Sequence, residues 1–516
     1  MSAAGGMNRG TTGAFGGRAA QPDRRERPLG GRIARIGLVL ALAFGGLALG
    51  AGYWGVLRAD ELASDPTDAG VVAASRGAVR GRILDRDGRV LASSKRDANG
   101  EPYRVYADPS ISGVVGYASR QYGSAGLERE YAAELLGVRP DDPVSRLFAK
   151  LRPQAGSRSD LRTSLSLTLQ RLAVRLLGDD RGAVVMLDPR TGDVLVLAST
   201  PTFDASAIAD PATSAAAFAA VQADPARPLV NRATLGRYVP GSVFKLVTAT
   251  AALGSNAITP NTTFAEQPAA EKSGLLVSGF RVRDGHHAFT GSTALDLLGA
   301  TEVSCNIYFA LAGLRTGGAE LTAWADRLGF DAQIPFDLPT AASQLTNGGG
   351  NLPGGFGDDV ELANAAYGQG EVLVTPLQMA LVGASIANGG LLMKPRLAAA
   401  FVDASGNVRR LEPEPWRLVL PSVSNEALRQ AMIRAVEGEH GRLFTTGAQV
   451  PGVVVAGKSG TAQLGGTGEP HSWFVGFAPA ENPEVVIAVL VERGGRGGER
   501  AAPLAGDVLR AYFGKP

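Results

Sequence analysis

Lysine is scarce in this chain of 516 residues: of its 51 basic side chains only Lys95, Lys150, Lys245, Lys272, Lys394, Lys458 and Lys515 are lysines. Arginine stays protonated inside proteins, whereas a buried or crowded lysine can lose its proton and serve as a base. Cysteine is scarcer still. The single Cys305 excludes an intramolecular disulfide framework and any multi-cysteine zinc cage. Histidine is limited to His286, His287, His440 and His471. No charge of one sign dominates either, and a net charge of +2 gives no global pull towards nucleic acid. What remains is a globular composition, 45% hydrophobic and 19% charged, in a chain long enough for two or three folded units.

Only one long hydrophobic run stands near the start. Residues 36–57 carry no charged side chain, and at about 1.5 Å per helical residue such a run spans a hydrocarbon core of roughly 30 Å. Arg18, Arg24, Arg25, Arg27, Arg32 and Arg35 precede it, and Asp60, Glu61, Asp65 and Asp68 follow. Arginine excess marks the cytoplasmic side, so residues 1–35 read as a disordered cytoplasmic tail and 36–57 as an uncleaved anchor in the plasma membrane, longer than the apolar core of a signal peptide. Tyr53 and Trp54 suit its outer interface. Everything after the anchor is then extracytoplasmic.

The segment 78–94 holds short apolar runs around Asp87-Gly88, which is hairpin chemistry. Residues 126–137 read as a helix ending at Gly137. A polar stretch at 150–163 with Pro, Gly and Ser marks a boundary near 160, so the expectation is a β-rich pedestal over 58–160 and a second domain over 161–516. The second domain opens with a helix at 169–178 and two strands at 182–199 about the turn Pro189–Gly192. Helical patterns follow near 243–254, 293–313, 361–388 and 424–437, and late strands are expected at 452–456 and 485–491. Strands at both ends with helices between imply an α+β domain whose terminal strands share one sheet. No solenoid-type repeat is evident, and the glycine-rich 345–355 lacks the ending of a phosphate loop.

Three short motifs carry chemistry. Pro240-Gly241 breaks the chain before a helical pattern, which puts Ser242 on a first helical turn with Lys245 on the same face. A neutral lysine amine there can take the serine's proton. Alone, Ser-x-x-Lys equally fits a capping serine and a solvated lysine. Further on, Ser304 and Asn306 flank Cys305, offering a hydroxyl that can pass protons and an amide that can hold a substrate amide or the lysine. Finally, a β-branched run enters Lys458-Ser459-Gly460-Thr461, where glycine admits a close backbone and the cation can attract a carboxylate.

In this order, Ser242-Val243-Phe244-Lys245, Ser304-Cys305-Asn306 and Lys458-Ser459-Gly460-Thr461 resemble the three signatures of penicillin-binding proteins and serine β-lactamases. The stretches 80–92 and 123–131 are similar to pedestal signatures of class B penicillin-binding proteins, and 367–380 to their transpeptidase segment. The resemblance covers nearly the whole chain after the anchor. One departure is Ser459, where the third signature usually has threonine; the hydroxyl survives. The resemblance implies an α+β penicillin-binding transpeptidase domain behind a dimerisation-type pedestal, working as a peptidoglycan D,D-transpeptidase without metal or cofactor.

By the same resemblance Ser242 attacks the penultimate D-Ala carbonyl of a stem peptide, Lys245 is its base, Ser304 relays a proton to the leaving amine and Asn306 orients the acyl peptide. Lys458, Ser459, Gly460 and Thr461 would bind the terminal carboxylate. The N–H groups of Ser242 and Gln463 would form the oxyanion hole. Repulsion from Lys458 is expected to lower the Lys245 pKa. Implied partners are the stem peptide or lipid-linked precursor, β-lactams that acylate Ser242, and a SEDS-type glycosyltransferase, because about 100 residues ahead of position 160 cannot hold a glycan polymerase. A Ser-His-Asp hydrolase is the first rival, but no Gly-x-Ser-x-Gly elbow accompanies the histidines. The other is an inactive protein of the same fold, either a β-lactam sensor, which usually has further transmembrane helices and a cytoplasmic effector domain, or a cell-wall scaffold, which should have lost a signature. Carboxypeptidase action and the cellular role stay open at this level.

Overall fold

At Asp65 the chain divides into two units, Met1–Asp65 and Pro66–Pro516, in the computed structural model, which describes residues 29–52, 79–137, 158–284, 294–419, 422–465 and 468–515. In the first unit a helix α1 (Leu29–Gly52) overlaps the expected anchor, with Leu38, Leu42, Phe44 and Leu47 exposed. Residues 53–57 of that anchor, with Tyr53 and Trp54, lie outside the described residues, as does the tail before 29. Among the described residues no helix is long and apolar enough to cross a membrane.

The second unit begins with the hairpin read at Asp87-Gly88. Strands β1 (Ile83–Leu84) and β2 (Val90–Arg96) pair antiparallel, and the Asp85 carboxylate accepts the N–H groups of Asp87 and Arg89, closing the turn at Gly88, whose φ is +85°. β3 (Pro102–Tyr106) continues the meander. The helix expected over 126–137 comes as two pieces, α2 (Leu127–Glu130) and α3 (Ala132–Leu136). They part at Tyr131, whose hydroxyl donates to Asp337 and whose ring meets Phe401 edge-on.

Position 160 falls within a sheet. β4 (Asp160–Thr163) lies parallel to β1, and beside it run two strands from far along the chain, β7 (Ala398–Val402) and β8 (Val408–Arg410), giving the order β8-β7-β4-β1-β2-β3. The first sheet therefore draws on both halves of the sequence.

The other large sheet is antiparallel throughout. After helix α4 (Leu167–Leu177), capped by Ser166, come β5 (Gly182–Leu187) and β6 (Val194–Thr200) about a turn at Gly192. The chain's end supplies β9 (Ala456–Ala462), β10 (His471–Ala478) and β11 (Val485–Val491), in the order β9-β10-β11-β5-β6. Terminal strands thus share a sheet, as expected, with β10 as an additional strand. The late strand starts at Ala456, later than the expected 452–456, and carries the whole Lys458–Thr461 motif.

Helices cover both faces of this sheet. Val185 and Leu187 join one apolar cluster with α8 (Pro376–Ala387), while Val184 and Met186 join another with α4 and the last helix, α10 (Ala501–Tyr512). Burial on both sides is why these strands read as continuous apolar runs.

Candidate active site

Ser242 sits in a tight 3-10 turn, Gly241–Phe244, that runs into α5 (Lys245–Gly254). The turn exists because two glycines let backbones touch. Gly241 has φ +57°, and a Cβ there would lie 2.7 Å from the Thr461 carbonyl oxygen. Gly368 does the same on the other side: its C=O accepts the Gly241 N–H at 2.8 Å, and a Cβ on it would strike Gly241 O at 1.9 Å. Trp473 Nε1 donates to the Val239 carbonyl just ahead. The segment 367–380, known from resemblance alone, is therefore a brace for the nucleophile's turn.

Lys245 is completely buried. Its Nζ donates to Asn306 Oδ1 at 2.7 Å, to Ser304 Oγ at 3.2 Å and to the Ser304 carbonyl. Lys458, also buried, donates to Ser304 Oγ at 2.8 Å and to the Ser459 carbonyl at 2.9 Å. One hydroxyl is shared by two lysines. Ser242 Oγ takes none of these hydrogen bonds; it stands on the same helical face as Lys245, one turn back.

The pattern expected as one helix over 293–313 is interrupted at this hydroxyl. α6 (Leu297–Glu302) ends, Ser304 adopts φ +62°, and α7 (Asn306–Thr316) begins, with Cys305 Sγ accepting the Tyr308 N–H at 3.2 Å as its cap. A left-handed serine costs on the order of 1 kcal/mol or more. Here it allows both the carbonyl and the hydroxyl of Ser304 to face Lys245. Buried Glu302, at the end of α6, accepts Arg434 Nε and the His440 N–H, holding that helix against α9 (Ser422–Glu437).

Burial pushes the Lys245 pKa down to about 8, with the Asp284 carboxylate and then the Cys305 thiol opposing. Lys458 falls well below the usual lysine value through burial and then through repulsion from Lys245, again opposed by Asp284. Burial is the first cause for both lysines, and the repulsion between them acts on the pair. The physical content is shared: two buried ammonium groups around one hydroxyl cannot both hold their charge cheaply.

Ser459, Gly460 and Thr461 follow Lys458 along β9, and Ser459 and Thr461 share a face by strand alternation. Gly460 must be glycine, since a Cβ would lie 2.9 Å from Pro240 O and 3.1 Å from Val243 N. Gln463 falls one residue past the end of β9 and is exposed. The part of the strand that lies against the Ser242 turn is Gly460–Ala462.

Asp284 has no counterpart in the sequence reading. It accepts the Ile307 N–H at 3.2 Å, at the start of α7. With Glu271 and Cys305 it brings ligand-type atoms within 4.8 Å of one another, a set able to hold a cation although no metal was expected. His286 and His287 lie outside the described residues. His471 pairs with Ala462, its Nδ1 accepts the Arg493 N–H at 3.1 Å, and burial lowers its pKa, so this imidazole is occupied as a strand-end residue.

Comparison with known proteins agrees with this geometry. The Penicillin binding protein transpeptidase domain family matches residues 182–510, and the Penicillin binding protein A dimerisation domain family matches 80–157. Peptidoglycan D,D-transpeptidase PbpA of Mycobacterium tuberculosis is 32% identical, over 94% of this chain and 99% of that protein. The Mycolicibacterium smegmatis protein of the same name is also 32% identical, over 88% of this chain and 93% of its own. Among solved structures, penicillin-binding protein A from M. tuberculosis as its imipenem acyl-enzyme complex superposes with a TM-score of 0.73 at 29% identity, covering 86% of this chain and all of that one. The chain belongs to the penicillin-binding protein transpeptidase family.

Proposed function

We propose that this protein is a peptidoglycan D,D-transpeptidase that cross-links stem peptides through an acyl-enzyme on Ser242 and is inhibited by β-lactams. The observation that carries the reading is the meeting of Lys245, Lys458 and Asn306 around the Ser304 hydroxyl, beside the turn that holds Ser242.

Lys245 supplies the base. A pKa of about 8 leaves roughly a tenth of it unprotonated at neutral pH, and the neutral amine takes the Ser242 proton as Oγ adds to the penultimate D-Ala carbonyl. Ser304 relays to the departing amine the proton that Lys245 took from Ser242, along the Lys245 Nζ to Ser304 Oγ hydrogen bond. The leaving D-Ala takes that proton and its nitrogen's bonding pair, and the ester on Ser242 remains. An amine from a neighbouring strand then attacks the ester and gives up a proton through Ser304 to Lys245, which returns it to Ser242 Oγ as the ester C–O bond breaks. Asn306 orients the acyl peptide, and Ser459 and Thr461 take the terminal carboxylate beside Lys458. Ser242 N–H is one oxyanion donor. The second, expected at Gln463, is better supplied from Gly460–Ala462, which lies against the nucleophile's turn.

We assign residues 58–160 to a pedestal and 161–516 to the transpeptidase domain, with β7 and β8 of the latter completing the pedestal sheet. Residues 36–57 serve as a single anchor with the N-terminus in the cytoplasm; the charge-free run and the exposed apolar face of α1 support it. A SEDS-type glycosyltransferase supplies the glycan strand. With all three signatures converging on one cleft, nothing favours an inactive sensor or scaffold.

The function is tested by incubating the protein with a thioester analogue of the stem peptide and a D-amino acid. Exchange product dominating over hydrolysis is the expected result. Hydrolysis alone would make the protein a carboxypeptidase, and no turnover with no penicillin labelling would refute the reading.

A further inference from the structure

We infer that the backbone N–H of Gly497 is a positioning group, which orients the Thr461 hydroxyl so that its proton is presented to the substrate's carboxylate. This rests on the assignment of Thr461 to the carboxylate made above.

Residues 492–500 join β11 to α10, and their backbone is fixed to the ends of β9 and β10. Arg493 N–H donates to His471 Nδ1 at 3.1 Å, Gly495 N–H to the Pro470 carbonyl at 3.1 Å, and Ser472 Oγ to the Arg496 carbonyl at 3.1 Å. Gly497 N–H donates to Thr461 Oγ1 at 3.2 Å. Only glycine lets that amide arrive: a Cβ at 497 would lie 2.4 Å from Gly460 O and 2.7 Å from Trp473 O. The approach has a conformational cost, since Arg493 is held at φ +52°, in the region that non-glycine residues avoid.

A threonine hydroxyl has one proton and two lone pairs. With Gly497 N–H on a lone pair, the proton must point elsewhere, and among the described residues no protein acceptor takes it. Thr461 is also the one half-buried residue of β9, whose other six are buried. With one lone pair engaged the hydroxyl is biased towards donating, and an anionic carboxylate oxygen accepts that proton in a stronger hydrogen bond than an ester carbonyl does.

The test compares acylation rates on two thioesters that differ only in the leaving group, one ending in a free carboxylate and the other in its methyl ester. Thr461→Val sets the scale. It should cut the preference for the carboxylate about tenfold or more; an undiminished preference would mean that Thr461 does not bind the carboxylate, and the proposal would fall with that reading. Gly497→Ala should cut the preference to the same degree, and add nothing to Thr461→Val in the double variant. Because the added Cβ could prevent folding, a second variant replaces Gly497 by glycolic acid, exchanging the N–H for an ester oxygen with no added bulk. Lost preference in that variant supports the proposal. Preference retained there, while Thr461→Val loses it, overturns the proposal and leaves the carboxylate reading standing; equal slowing of both thioesters also overturns it.

Discussion

Two buried clusters of positive charge, one in the pedestal and one in the catalytic cleft, solve the same electrostatic problem differently. In the pedestal, Arg80 and Arg104 clasp the fully buried Glu128, with N–O separations of 2.7 and 2.6 Å. In the cleft, the hydrogen bonds of Lys245 and Lys458 among the described residues go to neutral oxygens, and Asp284 acts on them as a nearby charge. A guanidinium keeps its proton at any accessible pH, so its burial demands a carboxylate. An ammonium can instead surrender the proton, and the cleft keeps that option open. The difference explains why a chain so rich in arginine places lysine at these two positions.

The largest way to break this comparison is Lys245→Arg. Acylation by a fluorescent penicillin should fall by about a thousandfold or more, because the guanidinium cannot act as a base; undiminished labelling would remove Lys245 from that role. The reciprocal change in the pedestal should spare chemistry and cost stability. Glu128→Ala strands two buried guanidinium groups and should destabilise the fold by about 3–5 kcal/mol, read from denaturant unfolding, with acylation per folded molecule unchanged. A third effect is smaller. Below a pH of about 8 the acylation rate should rise close to tenfold per pH unit and then level off, since the active form is the unprotonated Lys245. A flat profile from pH 6 to 9 would contradict it. Least of all, Ser459→Thr restores the family's usual residue and adds only a methyl to a nearly buried position; acylation should change by less than about threefold.

How much of this was legible follows from the range of each interaction. β5, β6 and β11 were readable because both faces are buried and the apolar run is local. The break at Ser304 was not, because a left-handed serine has no propensity signal and is stabilised by Lys245, far away in sequence. Pairing of β4 with β7, such as Asp160 with Val402, leaves no trace near either strand, so the boundary at 160 looked cleaner than the sheet is. The proposed catalytic residues stand out by signature resemblance, with lysine scarcity as the one compositional hint. Asp284 and Gly497 carry no such signature. Each acts through contacts that only the folded chain creates.

The central claim is that burial, without a carboxylate clasp, keeps Lys245 and Lys458 titratable. With only seven lysines in the chain, selective labelling of their side chains allows each Cε and Nζ resonance to be followed against pH by NMR. The account predicts that the signal lost in Lys245→Arg titrates near 8 and that the signal assigned to Lys458 titrates well below the ordinary lysine value of about 10.4. Lys245 and Lys458 both titrating near 10.4 would contradict it.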